Sequence, residues 1–249
     1  MPAVELERIT SPQAARLAAE GRVVGLIGTG AVEQHGPHLP LGTDAIIARH
    51  LAGEIAARLE ETVLVAPVLP GGLSSHHLGF PGTVDLPAGV LTGYVRAYLS
   101  AMDALGVRDV ALFSAHGGNF AAIGELAAER HERLRVIAYA DMLRYVEVMM
   151  AAAASVGVEV PPTDVHAGGL ETSQMLFLED SIEVPPGLEG YVEPEPGWLE
   201  RVSSEGIHAV SANGVLGRPA VATAEAGAAI CAALADEISA WMARELELG

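Results

Sequence analysis

Four short apolar runs, at residues 22–28, 63–68, 109–113 and 135–139, recur along the chain, and none of them alternates between apolar and polar residues. A strand with one wet face must alternate, so runs like these belong to strands buried on both faces, as in a parallel sheet covered by helices on either side. The intervening stretches carry the helical period. Residues 43–60 place Ile46, Ile47, Leu51, Ile55 and Leu59 on one stripe, and helices are expected at about 87–105, 120–134, 142–154 and 222–248. Ser11-Pro12 opens a further helix, expected to reach about Glu20, as an N-cap followed by proline at the first helical position. Residues 180–196, rich in Pro, Gly and Glu, read as an exposed excursion, and no linker of domain-separating length appears. The expectation is one α/β domain over residues 1–249 with a mostly parallel central sheet.

The charge balance removes several classes of function. Fourteen basic residues face 32 acidic ones, a net charge of −18, and all fourteen are Arg. Such a chain repels phosphate backbones and anionic lipid surfaces, so neither nucleic acid nor membrane is an expected partner. Without Lys, Schiff-base chemistry and a phosphate-loop lysine are excluded. The single cysteine, Cys231, sits in an Ala-rich helical stretch, where a small buried hydrophobe is expected, so any metal must be held by His, Asp and Glu. Residues 1–8 lack the features of a signal peptide, and the longest uncharged run, 62–84, contains Pro67, Pro70, Gly71 and Gly72, which rules it out as a spanning helix. The expected compartment is the cytoplasm.

Three polar clusters fall at loop-to-helix junctions: Glu33-Gln-His-Gly-Pro-His38, His116-Gly-Gly-Asn119 and His166-Ala-Gly-Gly-Leu-Glu-Thr-Ser173. In an open parallel sheet the ligand lies beyond the carboxyl ends of the strands, so clusters distant in sequence can share one rim. Residues two apart in an extended segment point the same way, so Glu33 and His35 address one point while Gln34 faces away. Asp44 lies at the start of the next helix, where a carboxylate stays ionised. Glu33, His35, Asp44 and His116, with Glu171 as a fifth candidate, are a donor set suited to Zn²⁺, Mn²⁺ or Fe²⁺, and large enough for two ions. Asp44 is the natural bridge between them, and two close divalent ions activate water and polarise a carbonyl. Each residue alone also has a structural reading: Glu33 as a turn cap, Asp44 and Glu171 as first-turn acids, His116 and His166 as turn residues. The adjacent His76 and His77 read as a substrate contact or as exposed, since neighbours in an extended chain rarely chelate one ion. Gly28-Thr-Gly30 after a strand does not extend to a dinucleotide fingerprint, because Glu33 stands where its third glycine would fall.

Glu33-Gln-His-Gly-Pro-His-Leu-Pro-Leu-Gly-Thr-Asp44, Ser114-Ala-His-Gly-Gly-Asn119, His166-Ala-Gly-Gly-Leu-Glu-Thr-Ser173 and Gly214-Val-Leu-Gly-Arg-Pro219 with Ala222-Thr-Ala-Glu225 closely resemble the creatininase (creatinine amidohydrolase) family, in order, over about residues 20–230. The resemblance implies a three-layer α/β/α sandwich, often assembled as homo-oligomers and possible as a hexamer. It also implies a binuclear metal centre that hydrolyses C–N amide bonds. Glu33, His35, Asp44 and His116 match the family's metal ligands, with Asp44 bridging, and His166 matches the histidine proposed as acid/base. Creatininase proper has a Glu ligand where this chain has Gly118. Glu171, counted both as a catalytic residue and as a ligand, is the candidate replacement, with Asn119 or water as alternatives. No Trp lies between Met142 and His166, so creatinine itself is not the expected substrate. The expected reaction is metal-dependent hydrolysis of a small-molecule amide, with zinc ahead of manganese or iron. The alternatives are a metallopeptidase acting on a short peptide such as a mycofactocin-type precursor and, from another class, a metal-binding protein without catalysis.

Overall fold

A computed structural model describes residues 3–19 and 21–248. Five strands, β1 (Val4–Glu5), β2 (Val23–Thr29), β3 (Thr62–Val65), β4 (Asp109–Ser114) and β5 (Arg135–Ala138), form one sheet in the order β1-β3-β2-β4-β5. Every pairing is parallel, with Gly25 opposite both Leu64 and Val110 at the centre. Eight helices are described: α1 (Ser11–Ala19), α2 (Thr43–Ala57), α3 (Ala88–Leu105), α4 (Phe120–Ala128), α5 (Met142–Ser155), α6 (Gly169–Leu178), α7 (Trp198–Glu205) and α8 (Ala224–Leu246).

The seven residues of β2 are all buried, as the lack of polar alternation requires. Successive side chains of β2 and β4 enter opposite layers. Val24, Leu26, Ala111 and Phe113 pack with α2, α5, α6 and α8; Val23, Ile27, Val110 and Leu112 pack with α3 and α4. The result is the expected three-layer sandwich. Gly25 admits α3 to close range: a Cβ there would stand 2.5 Å from Met102 Sδ. α8 has the length and mean hydropathy of a membrane span, yet Ile230, Cys231, Leu234, Ile238 and Met242 are core residues packed within one layer. Cys231 is buried and free, as expected.

The differences from the sequence reading have local causes. Helix α4 stops at Ala128, short of 134, because residues 129–133 have no apolar face to bury; instead Glu129 pairs with Arg96 and Arg133 with Asp103. β3 ends at Val65, ahead of Pro67, which has no N–H for a ladder. β1 and α7 were not anticipated. The expected end of α1 at Glu20 lies outside the described residues.

The chain runs from β2 to β3 on one side and returns to β4 on the other. The loops after β2 and β4 therefore leave adjacent strands at the point where the strand order reverses, where open α/β sheets place a ligand.

Candidate metal centre

The loop after β2 is folded tightly enough to bring two of its residues against the helix that follows. The Glu33 N–H donates to the Leu41 carbonyl at 2.9 Å, and Gly36 turns with φ of 66°. Gly30 lies so close to α2 that a Cβ would stand 2.7 Å from Ala45 Cα, so only glycine lets this loop pass. Asp44, in the first turn of α2, thereby faces Glu33 and His35. After β4, the Ser114 hydroxyl donates to the His116 carbonyl at 2.9 Å and receives the His116 N–H at 3.0 Å, fixing the turn. Asn119 stitches the surrounding loops: its amide nitrogen donates to the Gly30 carbonyl at 3.0 Å and its oxygen accepts the Leu73 N–H at 3.0 Å. That oxygen is committed to main chain and does not supply the carboxylate missing at 118. Position 118 has no room for one either, since a Cβ there would lie 2.2 Å from the Leu73 carbonyl oxygen.

The structure brings Glu33, His35, Asp44, His116, His166 and Glu171 into one pocket, with Glu33, His35, Asp44, His116 and His166 buried. His35 Nδ1–H donates to the Glu33 carbonyl at 3.1 Å, which points Nε2 at Asp44 Oδ1, 3.1 Å away. His116 Nε2–H donates to the Leu73 carbonyl at 3.1 Å, which points Nδ1 at Asp44 Oδ2, 3.2 Å away, and at Glu33 Oε1, 3.3 Å away. Glu171 Oε2 lies 3.7 Å from His35 Nε2 and accepts the Ala167 N–H at 2.6 Å. The two oxygens of Asp44 thus face different imidazoles, with Glu33 beside His116 and Glu171 beside His35.

Carboxylate oxygens from three side chains converge here. Glu33 Oε2 and Asp44 Oδ2 are buried without a hydrogen-bond partner among the described residues. A buried carboxylate cluster of this kind requires positive charge. Without metal, protons supply it. Burial works against the charged form of His35, but Asp44, Glu171 and Glu33 outweigh it and hold the imidazole up at about 10. Glu33 and Asp44 likewise overcome burial and raise His116 well above its ordinary value. Burial, opposed by His35, raises the Glu171 carboxyl to about 7. The donor set, the orphaned oxygens and three overlapping groups of ligand atoms, each within 4.8 Å, fit divalent cations.

His77, read from the sequence as a substrate contact or as exposed, is not exposed. It is buried, with Nε2 3.1 Å from Glu33 Oε1 and its ring 4.4 Å from that of His166. His76 lies nearer the surface, stacked on His116 with ring centroids 5.9 Å apart. Gln34, expected to face away from Glu33 and His35, is buried against His77 and His166. The Arg218 guanidinium pairs with Glu189 at 2.8 Å, and its main-chain N–H donates to Asp164.

A parallel α/β/α sandwich with a carboxylate–imidazole pocket at its strand-order reversal is the layout of a metal-dependent hydrolase. The comparisons agree. The creatinine amidohydrolase family profile matches residues 7–242. The chain is 34% identical over 225 residues to the mycofactocin precursor peptide peptidase of Mycolicibacterium smegmatis, covering 87% of this chain and 84% of that one. It is 29% identical over 181 residues to the creatinine amidohydrolase of Pseudomonas putida, covering 66% and 67%. A solved manganese creatininase superposes with a TM-score of 0.72 at 24% identity, covering 98% of each chain. The chain belongs to the creatininase family, and is an amidohydrolase.

Proposed function

We propose that this chain hydrolyses a C–N amide bond in a small molecule or short peptide at a centre of two divalent cations. Glu33, Asp44 and His116 would hold one ion and His35, Asp44 and Glu171 the other, with Asp44 shared. The observation that carries this reading is the division of Asp44 between two imidazole nitrogens, at 3.1 and 3.2 Å. Zinc or manganese suits these donors and supplies Lewis acidity and a water that ionises near neutrality.

The chain's own residues do the rest. His166 gives its Nε2–H to the Gln34 carbonyl at 2.8 Å and turns bare Nδ1 toward Glu33 and Glu171, at 3.8 and 4.0 Å. Burial and then His35 hold His166 below its ordinary value, so it starts neutral, able to take a proton at Nδ1 and pass it to the leaving nitrogen. The Gly117–Gly118 turn offers main-chain N–H groups to a developing oxyanion.

The likeness to a peptide peptidase over 87% of the chain favours the peptide reading among amides, as does the lack of Trp between Met142 and His166. A cytoplasmic homo-oligomer is part of the proposal; Val90 and Tyr94 on α3 are exposed apolar residues that a second copy would cover.

Elemental analysis of the native chain and of Asp44→Asn, with turnover on a panel of lactams, formamides, dipeptides and longer peptides, tests the centre. Two ions per chain and hydrolysis in the native protein, both lost in the variant, are expected. Unchanged metal content and turnover in Asp44→Asn would overturn it.

A further inference from the structure

Gln34 lies between two proposed ligands, yet its amide is buried among His77, His166 and Gly214. Nε2 is 3.0 Å from His77 Nδ1, 2.9 Å from His166 Nε2 and 3.1 Å from the Gly214 carbonyl; Oε1 accepts the Gly36 N–H at 3.0 Å. Two main-chain groups fix the amide's orientation. Exchanging its oxygen and nitrogen would set oxygen against oxygen at Gly214 and N–H against N–H at Gly36. Gly214, at φ of 79°, makes the close approach possible: a Cβ there would stand 2.0 Å from Gln34 Oε1.

Gln34 Nε2 has two hydrogens for three neighbours. His166 Nε2 also faces the Gln34 main-chain carbonyl at 2.8 Å. A carbonyl only accepts, so His166 carries its hydrogen on Nε2 and takes none from the amide. The two amide hydrogens therefore go to Gly214 and to His77 Nδ1. An imidazole that accepts at Nδ1 carries its hydrogen on Nε2, and His77 Nε2 is 3.1 Å from Glu33 Oε1.

We infer that Gln34 sets the tautomers of both imidazoles, His166 through its main-chain carbonyl and His77 through its side-chain amide, and so makes His77 a hydrogen-bond donor that positions Glu33 rather than a cation ligand. Glu33 Oε1 is then held by His77, while Oε2, which has no hydrogen-bond partner among the described residues, remains for an ion. The consequence for the cation centre rests on the function proposed above; the hydrogen-bond assignment stands without it.

Two measurements test the inference. In zinc-loaded protein with ¹⁵N-labelled imidazoles, spectra that correlate ring nitrogens with ring carbon-bound hydrogens report which nitrogen is protonated, and a His77→Gln sample assigns the signal. His77 and His166 are both expected with Nδ1 bare and Nε2 protonated. A hydrogen on His77 Nδ1, or a zinc-dependent shift showing ligation at its Nε2, overturns the inference. Zinc affinity from chelator competition is the second readout. His77→Ala is expected to weaken binding by about 10–100-fold, as loss of a ligand's supporting partner does. His77→Gln, whose amide N–H reaches the place of Nε2, is expected to recover most of that loss. No loss in His77→Ala, or an equal loss in both variants, overturns the inference; if the alanine variant does not fold, the native spectrum still decides. Neither readout uses hydrolysis, so a failure to find an amide substrate leaves both intact and counts against the proposed activity alone.

Discussion

Gly118 stands where the resemblance to creatininase places a carboxylate, and the main chain around it leaves no room for one. A carboxylate at 118 would have to displace the Leu73 carbonyl, 2.2 Å from the place of its Cβ, and that carbonyl receives the His116 Nε2–H. Gly118→Glu is therefore expected to disturb His116 instead of adding a ligand. We expect a loss of about 1–3 kcal/mol of stability, as for overpacking elsewhere, and less bound metal; a thermal unfolding scan with elemental analysis checks both, and a stable variant with extra metal would contradict the geometry. Glu171 reaches the same region from α6, with Oε2 3.7 Å from His35 Nε2. Glu171→Gln keeps one oxygen for the Ala167 N–H but loses the charge. Metal content is expected to fall from two ions per chain toward one, with the half around Glu33 and His116 retained. A variant that still holds two ions tightly would remove Glu171 from the ligand set.

Among the elements, α6 carries Glu171 and follows His166, yet its own N-cap, Gly168, has no side chain to offer. Asp164 does that work from four residues upstream. Its carboxylate accepts the N–H groups of Gly169 at 2.8 Å and Leu170 at 3.0 Å, and also that of Arg218 at 3.0 Å, tying the start of α6 to the loop before α8. Asp164→Asn replaces one accepting oxygen with a donor facing N–H groups. The site is buried, so the expected cost is about 1–3 kcal/mol, seen as a lower melting temperature; an unchanged melt would show that the three bonds are dispensable. None of this was legible in sequence, because Asp164 and Arg218 are joined only by the fold. The elements that were legible are those with local signatures. β2 and β4 announce themselves by unbroken apolar runs, and α2 by its stripe of Ile and Leu. β1 is two residues long and takes its place from pairing with β3, while α7 sits beside a Pro- and Gly-rich stretch whose composition speaks for a loop. The same division runs through the site. Glu33, His35, Asp44 and His116 lie beside glycines at junctions and could be named; His77 sits in a short 3₁₀ turn, Ser75–His77, and reaches Glu33 by a contact that no local spacing encodes.

For the whole molecule, the pocket gathers buried charge from four distant stretches of a chain whose net charge is already −18. Folding must therefore bring positive charge to Glu33, Asp44 and Glu171, as protons or as metal ions, and the two compensations respond oppositely to pH. In the metal-free protein His35 is held at about 10 against an ordinary 6.5, mainly because Asp44 outweighs burial. A group whose pKa is raised on folding contributes its stability in full below the unfolded value and loses it as pH rises through the folded value. Chelated protein should thus lose stability progressively from pH 6.5 to about 10. Cations bind deprotonated imidazoles, so their affinity for the pocket grows over the same window, and binding to the folded state alone adds stability as the ratio of free metal to dissociation constant rises. The melting temperature with excess zinc or manganese should therefore separate from that with chelator, and the gap should widen with pH. Parallel curves would mean that the buried carboxylates are compensated by something other than His35 and its metal-bound form, and the two-cation reading of the pocket would fall with them.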